Sequence, residues 1–202
     1  MQKKYIKDSD YVEAAGRSGL EINVVKTVTS VEALGFGFFN NGRPVVLFER
    51  HVFYRELLKS KGKTYADRTV KNEPGLCNPL SGGYVGGSSE LDRLDEACEI
   101  DLECALRSAS YGLFQIMGFN HLQAGYKTVG DYYEAMCTGE QQQLDAFVSY
   151  VMFDKDQSLF SSLKKKDFTS FAREYNGPGY NKHNPPYDVR MQRAYNALSK
   201  VK

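Results

Sequence analysis

Two glutamates in the first quarter of the chain are candidates for acid–base chemistry. Glu32 follows Val28 by four residues and Val25 by seven, so it continues the apolar stripe of a predicted helix. A carboxyl group on a core-facing stripe, at the negative end of a helix dipole, is destabilised as an ion, which predicts a raised pKa. A general acid that works near neutral pH needs such a pKa. The alternative is a structural carboxylate paired with a backbone N–H or an arginine.

Glu49 is the second candidate. It ends a predicted strand, residues 44–48, that returns from an Asn-Gly turn. A hairpin that directly follows a helix folds back beside the helix's end, which predicts that Glu49 approaches Glu32. Two carboxylates that flank a groove are the equipment of glycoside hydrolysis. The alternatives are an ion pair with Arg50 or Arg43, or a cap for the helix that is predicted to start at Arg50.

Two further segments place hydrogen-bonding side chains among aromatic ones. Ser110 and Gln115 border a short helix predicted at 111–117, where the Gln115 amide could bond sugar hydroxyls and acetamido groups or else cap a backbone group. Tyr175 offers a flat face and a hydroxyl, and Asn176 offers a donor and an acceptor. We expect all four residues to bind substrate, although Tyr-Asn-Gly is also an ordinary helix stop.

A mostly helical chain must position these residues. Residues 35–39 are predicted to pair with the return strand in one small hairpin, and the Gly- and Ser-rich residues 61–89 predict a long surface loop. This pattern suits an α+β domain with two helical lobes and a groove between them. Hydrophobic periodicity predicts the helices, which are 11–15, 20–34, 50–59, 89–106, 111–117, 128–137, 140–154, 167–175 and 188–198.

Composition excludes several other classes of protein. The 202 residues suit one domain, and we expect residues 1–202 to form a single catalytic domain. The net charge of +1, from 26 basic and 25 acidic residues, argues against a nucleic-acid partner. No stretch approaches the roughly 18 apolar residues of a membrane helix. The N-terminal lysines precede no apolar segment, so we expect synthesis in the cytoplasm without a Sec signal peptide.

No metal or cofactor is expected. The cysteines and histidines show no metal-ligand spacing, so buried free thiols are the expected state, with disulfides and a zinc site as alternatives. Residues 35–37 lack the rest of a dinucleotide fingerprint. The cysteines are Cys77, Cys98, Cys104 and Cys137.

Taken together, these segments resemble the phage-type N-acetylmuramidase family of endolysins, within the lysozyme-like superfamily. The resemblance implies a lysozyme-like two-lobed fold with a small β-hairpin next to the catalytic helix. It also implies cleavage of the β-1,4 bond between N-acetylmuramic acid and N-acetylglucosamine in peptidoglycan. The matching stretches are residues 31–38, 42–53, 107–121 and 171–180.

The resemblance also implies roles for individual residues. Glu32 matches the family's catalytic glutamate, Gln115 is placed in the groove by its Gly-Leu-Phe-Gln stretch, and Tyr175 with Asn176 matches the superfamily's Tyr-Asn motif. Tyr111 stands where relatives often have Trp, and Ala33 stands where Ser often follows the glutamate. Many relatives carry a separate cell-wall-binding domain, and we expect none in this chain.

We therefore expect a monomeric peptidoglycan muramidase that binds glycan strands without stable membrane insertion. It would act on the cell wall after release or export from the cytoplasm, as a phage endolysin or a secreted effector. A lytic transglycosylase, which needs only one acid–base group, is the nearest alternative, and Glu49 favours hydrolysis over it. A non-catalytic glycan-binding module is a second alternative, against which the position of Glu32 argues.

Overall fold

The computed structural model describes residues 5–32, 36–182 and 184–200. Three strands, β1 (Val46–Phe48), β2 (Ala109–Tyr111) and β3 (Ile116–Met117), form an antiparallel sheet in that order. The predicted α+β class with a helical majority is confirmed. The helices are α1 (Asp8–Ser18), α2 (Ile22–Glu32), α3 (Arg50–Lys61), α4 (Lys63–Asn72), α5 (Ser89–Ile100), α6 (Leu102–Arg107), α7 (Val129–Thr138), α8 (Glu140–Met152), α9 (Ser158–Lys165), α10 (Phe168–Tyr175) and α11 (Tyr187–Leu198).

The pairing of β1 differs from the predicted hairpin. β1 pairs with β2, which places Phe48 opposite Ala109. The predicted pairing is present just before β1, where Phe38 and Pro44 form a bridge and the N–H groups of Phe39 and Val45 donate to the carbonyls of Arg43 at 2.8 Å and Gly37 at 3.0 Å. Residues 33–35, which include Ala33 and the start of the predicted strand, lie outside the described residues.

The predicted helix at 111–117 is wrong, because β2 and β3 form a hairpin there. Tyr111 lies opposite Ile116, and the turn between them places Gly112 and Gln115 at positive φ angles of 68° and 47°. A short apolar run that is buried on all sides does not reveal by periodicity whether it is helix or strand. Gln115 therefore lies in a hairpin turn and not on a helix.

Several helix boundaries also differ from the prediction. α1 continues through Gly16, and the helix predicted at 89–106 is divided at Asp101, whose carboxylate accepts from the backbone N–H of Cys104 at 2.9 Å and so caps α6. The predicted loop at 61–89 contains α4, and α9 was not predicted. Both helices are short and bury few residues, so their apolar stripes are too narrow to be read from sequence.

α2 is the element that carries the first candidate residue. Val24, Val25 and Val28 are buried, as the predicted stripe requires, and the helix packs against α1 and α11. α10 packs against α9 and α11, so the last two helices lie beside the end of α2. Among the described residues, no helix has the length and apolar character that crossing a bilayer requires.

Candidate active site

Glu32 is the last residue of α2 and lies half-buried in a pocket of about 360 Å³. α11 provides one wall of this pocket, and the connection between α10 and α11 provides another. The other described residues that line it are Val31, Asn176, Gly179, Tyr180, Tyr187 and Arg190. The predicted burial of the Glu32 carboxyl group is thus present in the fold.

The contacts of Glu32 set its protonation. Burial raises the pKa of the carboxyl group, whereas a hydrogen bond from the Tyr187 hydroxyl and the positive charge of Arg190 lower it, and the net direction is upward. Arg190 is held in place because its guanidinium donates to the carbonyl of Val31 at 2.7 Å. Glu32 therefore keeps its proton at a higher pH than an exposed glutamate does, as a general acid must.

Asn176 contacts Tyr187, which in turn donates a hydrogen bond to Glu32. Burial and then the Glu32 carboxylate raise the pKa of Tyr187, while hydrogen bonding with the Asn176 side chain lowers it in part. The Tyr187 hydroxyl thus stays protonated and remains a donor toward Glu32. The structure brings the predicted residue Asn176 into the same pocket as the predicted acid.

Tyr175 connects α10 to the β2–β3 turn. Its hydroxyl donates to the carbonyl of Phe114 at 2.8 Å, and its ring stacks on Phe171 with centroids 5.2 Å apart. Burial, followed by the charge of Glu32, raises the pKa of Tyr175, so this side chain lies within electrostatic reach of the acid. These contacts give Tyr175 a positioning role, and the expected direct contact with sugar stays a prediction.

Ser110 and Gln115 are joined by the hairpin. The Ser110 hydroxyl donates to Oε1 of Gln115 at 2.8 Å, and Nε2 of Gln115 donates to the carbonyl of Gly112 at 2.8 Å. Ser110 is buried, whereas Gln115 is exposed. The structure therefore contains the internal hydrogen bonding that the sequence left open as an alternative for Gln115.

Glu49 follows β1 and continues its pairing with β2, since its backbone N–H donates to the carbonyl of Ser108 at 2.9 Å. Oε2 of Glu49 accepts from the Tyr84 hydroxyl at 2.8 Å and lies 3.2 Å from Nδ1 of His51. The side chain is 16% exposed. Within the described part of the chain, Oε1 of Glu49 accepts no hydrogen bond, whereas Oε2 accepts from Tyr84.

The structure does not bring Glu49 into contact with Glu32. Glu49 is absent from the described lining of the Glu32 pocket and from the causes that shift the Glu32 pKa. The proximity that the hairpin predicts for the two carboxyl groups stays a prediction. The cap and the ion pairs considered as alternatives for Glu49 are also not formed. Its side chain does not cap α3, Arg43 pairs instead with Asp95 at 2.6 Å, and Arg50 donates to backbone carbonyls.

Two residues at the start of α8 were missed by sequence reasoning. Glu140 accepts from the N–H of Gly37 at 2.9 Å, and Gln143 donates to the carbonyl of Gly37 at 3.2 Å while accepting from the N–H of Leu113 at 2.9 Å. A Cβ on Gly37 would overlap the Gln143 amide. Gln143 thus joins the segment after Glu32 to the β2–β3 turn, although nothing in Glu140-Gln-Gln-Gln distinguishes it in sequence.

Tyr187 and Arg190 were missed as well. In sequence Tyr187 is an aromatic residue that follows two prolines at the start of a predicted helix. The one signal that it faces inward is that the buried Met191 follows it by four residues, on the same helix face. Within the described ranges, no group of three or more His, Cys, Asp or Glu residues is arranged to hold a metal ion. His183 lies outside those ranges.

No disulfide joins the four cysteines, all of which lie within the described residues. Cys77 and Cys104 are buried, and Cys98 and Cys137 are half-buried. Burial raises the pKa of Cys77, Cys98 and Cys104 to about 11, so these side chains are thiols and not thiolates at neutral pH.

Comparisons with known proteins agree with this geometry. A family model described as N-acetylmuramidase matches residues 21–199. The crystal structure of an endolysin from Burkholderia phage AP3 is similar, with a TM-score of 0.91 and 38% sequence identity over 100% of this chain and 74% of that chain. A search of curated proteins finds no match.

Proposed function

Because the chain belongs to the N-acetylmuramidase family, we propose that Glu32 is the general acid with which it cleaves the glycan strand of peptidoglycan. The protein is a peptidoglycan hydrolase, a glycoside hydrolase of the lysozyme type. The observation that carries the role of Glu32 is a carboxyl group whose burial raises its pKa within a pocket at the end of α2. The bond that it cleaves is the β-1,4 link between N-acetylmuramic acid and N-acetylglucosamine.

The acid step follows from the contacts of Glu32. The protonated carboxyl group transfers its proton to the glycosidic oxygen, so the leaving sugar departs as a neutral alcohol. Glu32 then becomes a carboxylate, which the Tyr187 hydroxyl and the positive charge of Arg190 stabilise. These two contacts strengthen as negative charge develops on Glu32 during proton transfer. They therefore favour the transfer, while burial keeps the proton on Glu32 before the reaction.

Glu49 is proposed as the second carboxylate. Tyr84 donates to Oε2, and Oε1, which accepts no hydrogen bond from the described residues, is available to polarise water or to stabilise the positive charge of the transition state. The separation of the two carboxyl groups in the substrate complex decides the route, since inverting glycosidases hold them roughly 6.5–9.5 Å apart and retaining ones roughly 5–5.5 Å apart.

Substrate binding is proposed for Asn176, Gln115 and Ser110, with Tyr175 positioning the turn that carries Gln115. The reaction needs no metal or cofactor. The chain acts as a monomeric, single catalytic domain on the cell wall, and its similarity to a Burkholderia phage endolysin supports release from the cytoplasm during host lysis.

Lysis of permeabilised Gram-negative cells, followed by turbidity, tests this proposal. Glu32→Gln keeps the size of the side chain and removes the proton donor, so activity should fall by about 10²–10⁴-fold. Glu103→Gln, at an exposed position on α6, is the matched control and should keep full activity. A folded Glu32→Gln protein with more than about a tenth of the native activity would exclude Glu32 as the acid.

A further inference from the structure

A second cavity, of about 660 Å³, lies between the segment that follows Glu32, the start of α1 and the first turn of α8. Its volume falls within the roughly 300–1,000 Å³ of small-molecule sites. The proposed acid chemistry does not use it. Residues central to its lining are Tyr5, Lys7, Phe36, Phe38, Phe39 and Gln141.

Aromatic rings form much of this lining, and two of them are exposed. Phe36 is 61% exposed and Tyr5 is 42% exposed, with ring centroids 5.9 Å apart. Exposed aromatic rings that adjoin one another around a cavity are typical of a binding surface. Flat rings of this kind pack against the apolar face of a pyranose.

The walls of the cavity are fixed by a buried carboxylate. Glu140 is 5% exposed and accepts from the backbone N–H of Ile6 at 3.2 Å and of Gly37 at 2.9 Å. One bond therefore holds the segment that carries Tyr5 and Lys7, and the other holds the segment that carries Phe36. A buried carboxylate that anchors both segments of the lining restricts their motion, which lowers the entropic cost of binding.

The chain connects this cavity closely to Glu32. Phe36 follows Glu32 by four residues, so their Cα atoms are at most about 14 Å apart. A polymer whose scissile bond lies at Glu32 extends in both directions from the acid. We take this cavity to lie along one of those directions.

We propose that this cavity binds an N-acetylhexosamine ring of the glycan strand, as a sugar subsite beside the cleavage site. The aromatic rings take the apolar face of the sugar, and the amides of Asn40, Gln141 and Gln142 bond its hydroxyl and acetamido groups. A stem peptide, which carries carboxylates, is disfavoured because the described residues of the lining include one cation, Lys7, against Asp10 and Glu140. The proposal rests on the proposed role of Glu32, which places the strand.

Calorimetric titration with the trisaccharide of N-acetylglucosamine tests the subsite. Glu32→Gln protein is used so that the probe stays intact, and Phe36→Ala is added to it. We expect affinity to fall at least about fivefold, because the variant loses one aromatic face. Phe153→Ala is the matched control, since Phe153 is 65% exposed but follows the other end of α8, away from the cavity lining. Phe36→Tyr should restore binding.

Equal affinities for Phe36→Ala and Phe153→Ala would overturn the subsite, as would a trisaccharide that does not bind. Stronger competition by a sugar-free stem peptide than by the trisaccharide would also overturn it. With Glu32 intact, Phe36→Ala should raise KM on glycan strands more than it lowers kcat. These outcomes test the subsite alone. The role of Glu32 as the acid is tested separately, by the activity of Glu32→Gln.

Discussion

Replacing Tyr187 with Phe removes the hydroxyl that donates to Oε1 of Glu32 and keeps the buried ring. That hydrogen bond is one of the two contacts that lower the pKa of Glu32 against the larger effect of burial, so its loss should raise the pKa further. A hydrogen bond to a charged group contributes roughly 1.5–3 kcal/mol. The carboxylate that forms after proton transfer loses about that stabilisation, which corresponds to about one to two powers of ten in rate.

The dependence of kcat/KM on pH measures both effects on purified peptidoglycan. On the high-pH side the rate falls as the acid loses its proton, so Tyr187→Phe should move that limb to higher pH and lower the plateau. Tyr195→Phe is the matched control on the same helix, because its hydroxyl donates to Glu21 at 2.9 Å and not to Glu32. An unchanged limb, or one moved to lower pH, in a folded Tyr187→Phe protein would refute this account of the acid.

Glu32→Gln should unfold at a higher temperature than the native protein at neutral pH. Because the pKa of Glu32 is raised in the folded protein, the free energy of unfolding falls as pH rises above the pKa of the unfolded state, by about 1.4 kcal/mol for each unit between the two pKa values. Glu32→Gln removes this loss, so its stability advantage should vanish below about pH 4. A lower unfolding temperature at pH 7 would instead indicate a structural carboxylate. Glu49→Gln should reduce kcat less than Glu32→Gln does, and a large stability loss with normal activity per folded molecule would make Glu49 structural. Gln143→Leu leaves buried backbone groups unpaired and should cost at least about 2 kcal/mol in urea unfolding. Exposed Gln192→Leu should change stability by less than about 0.5 kcal/mol, and equal effects would contradict the role of Gln143.

The position of the acid could be predicted from sequence because it depends on local periodicity. Val25 and Val28 define the buried stripe of α2, and Glu32 continues that stripe to the end of the helix. Its partners could not be predicted in the same way. Tyr187 lies 155 residues further along the chain, and its approach depends on the packing of α11 against α2, which no local pattern encodes.

The hairpins show where local rules fail. The Asn-Gly turn correctly predicts that the chain reverses before β1, and Phe39 and Val45 carry the hydrogen bonds of that short hairpin, but the long-range pairing of β1 with β2 has no local signal. Gln115 was assigned to a helix because a short run buried on both sides has no distinctive period. Its left-handed backbone conformation, with φ of 47°, becomes evident only in the folded turn.

Mass spectrometry of peptidoglycan digested by the native protein tests the central claim most directly. Hydrolysis of the bond between N-acetylmuramic acid and N-acetylglucosamine predicts internal products with a free reducing end on N-acetylmuramic acid. A lytic transglycosylase would give 1,6-anhydro products, each lighter by one water, because the sugar's own 6-hydroxyl attacks. A predominance of anhydro products, or of products that end on N-acetylglucosamine, would contradict the muramidase reaction proposed for Glu32.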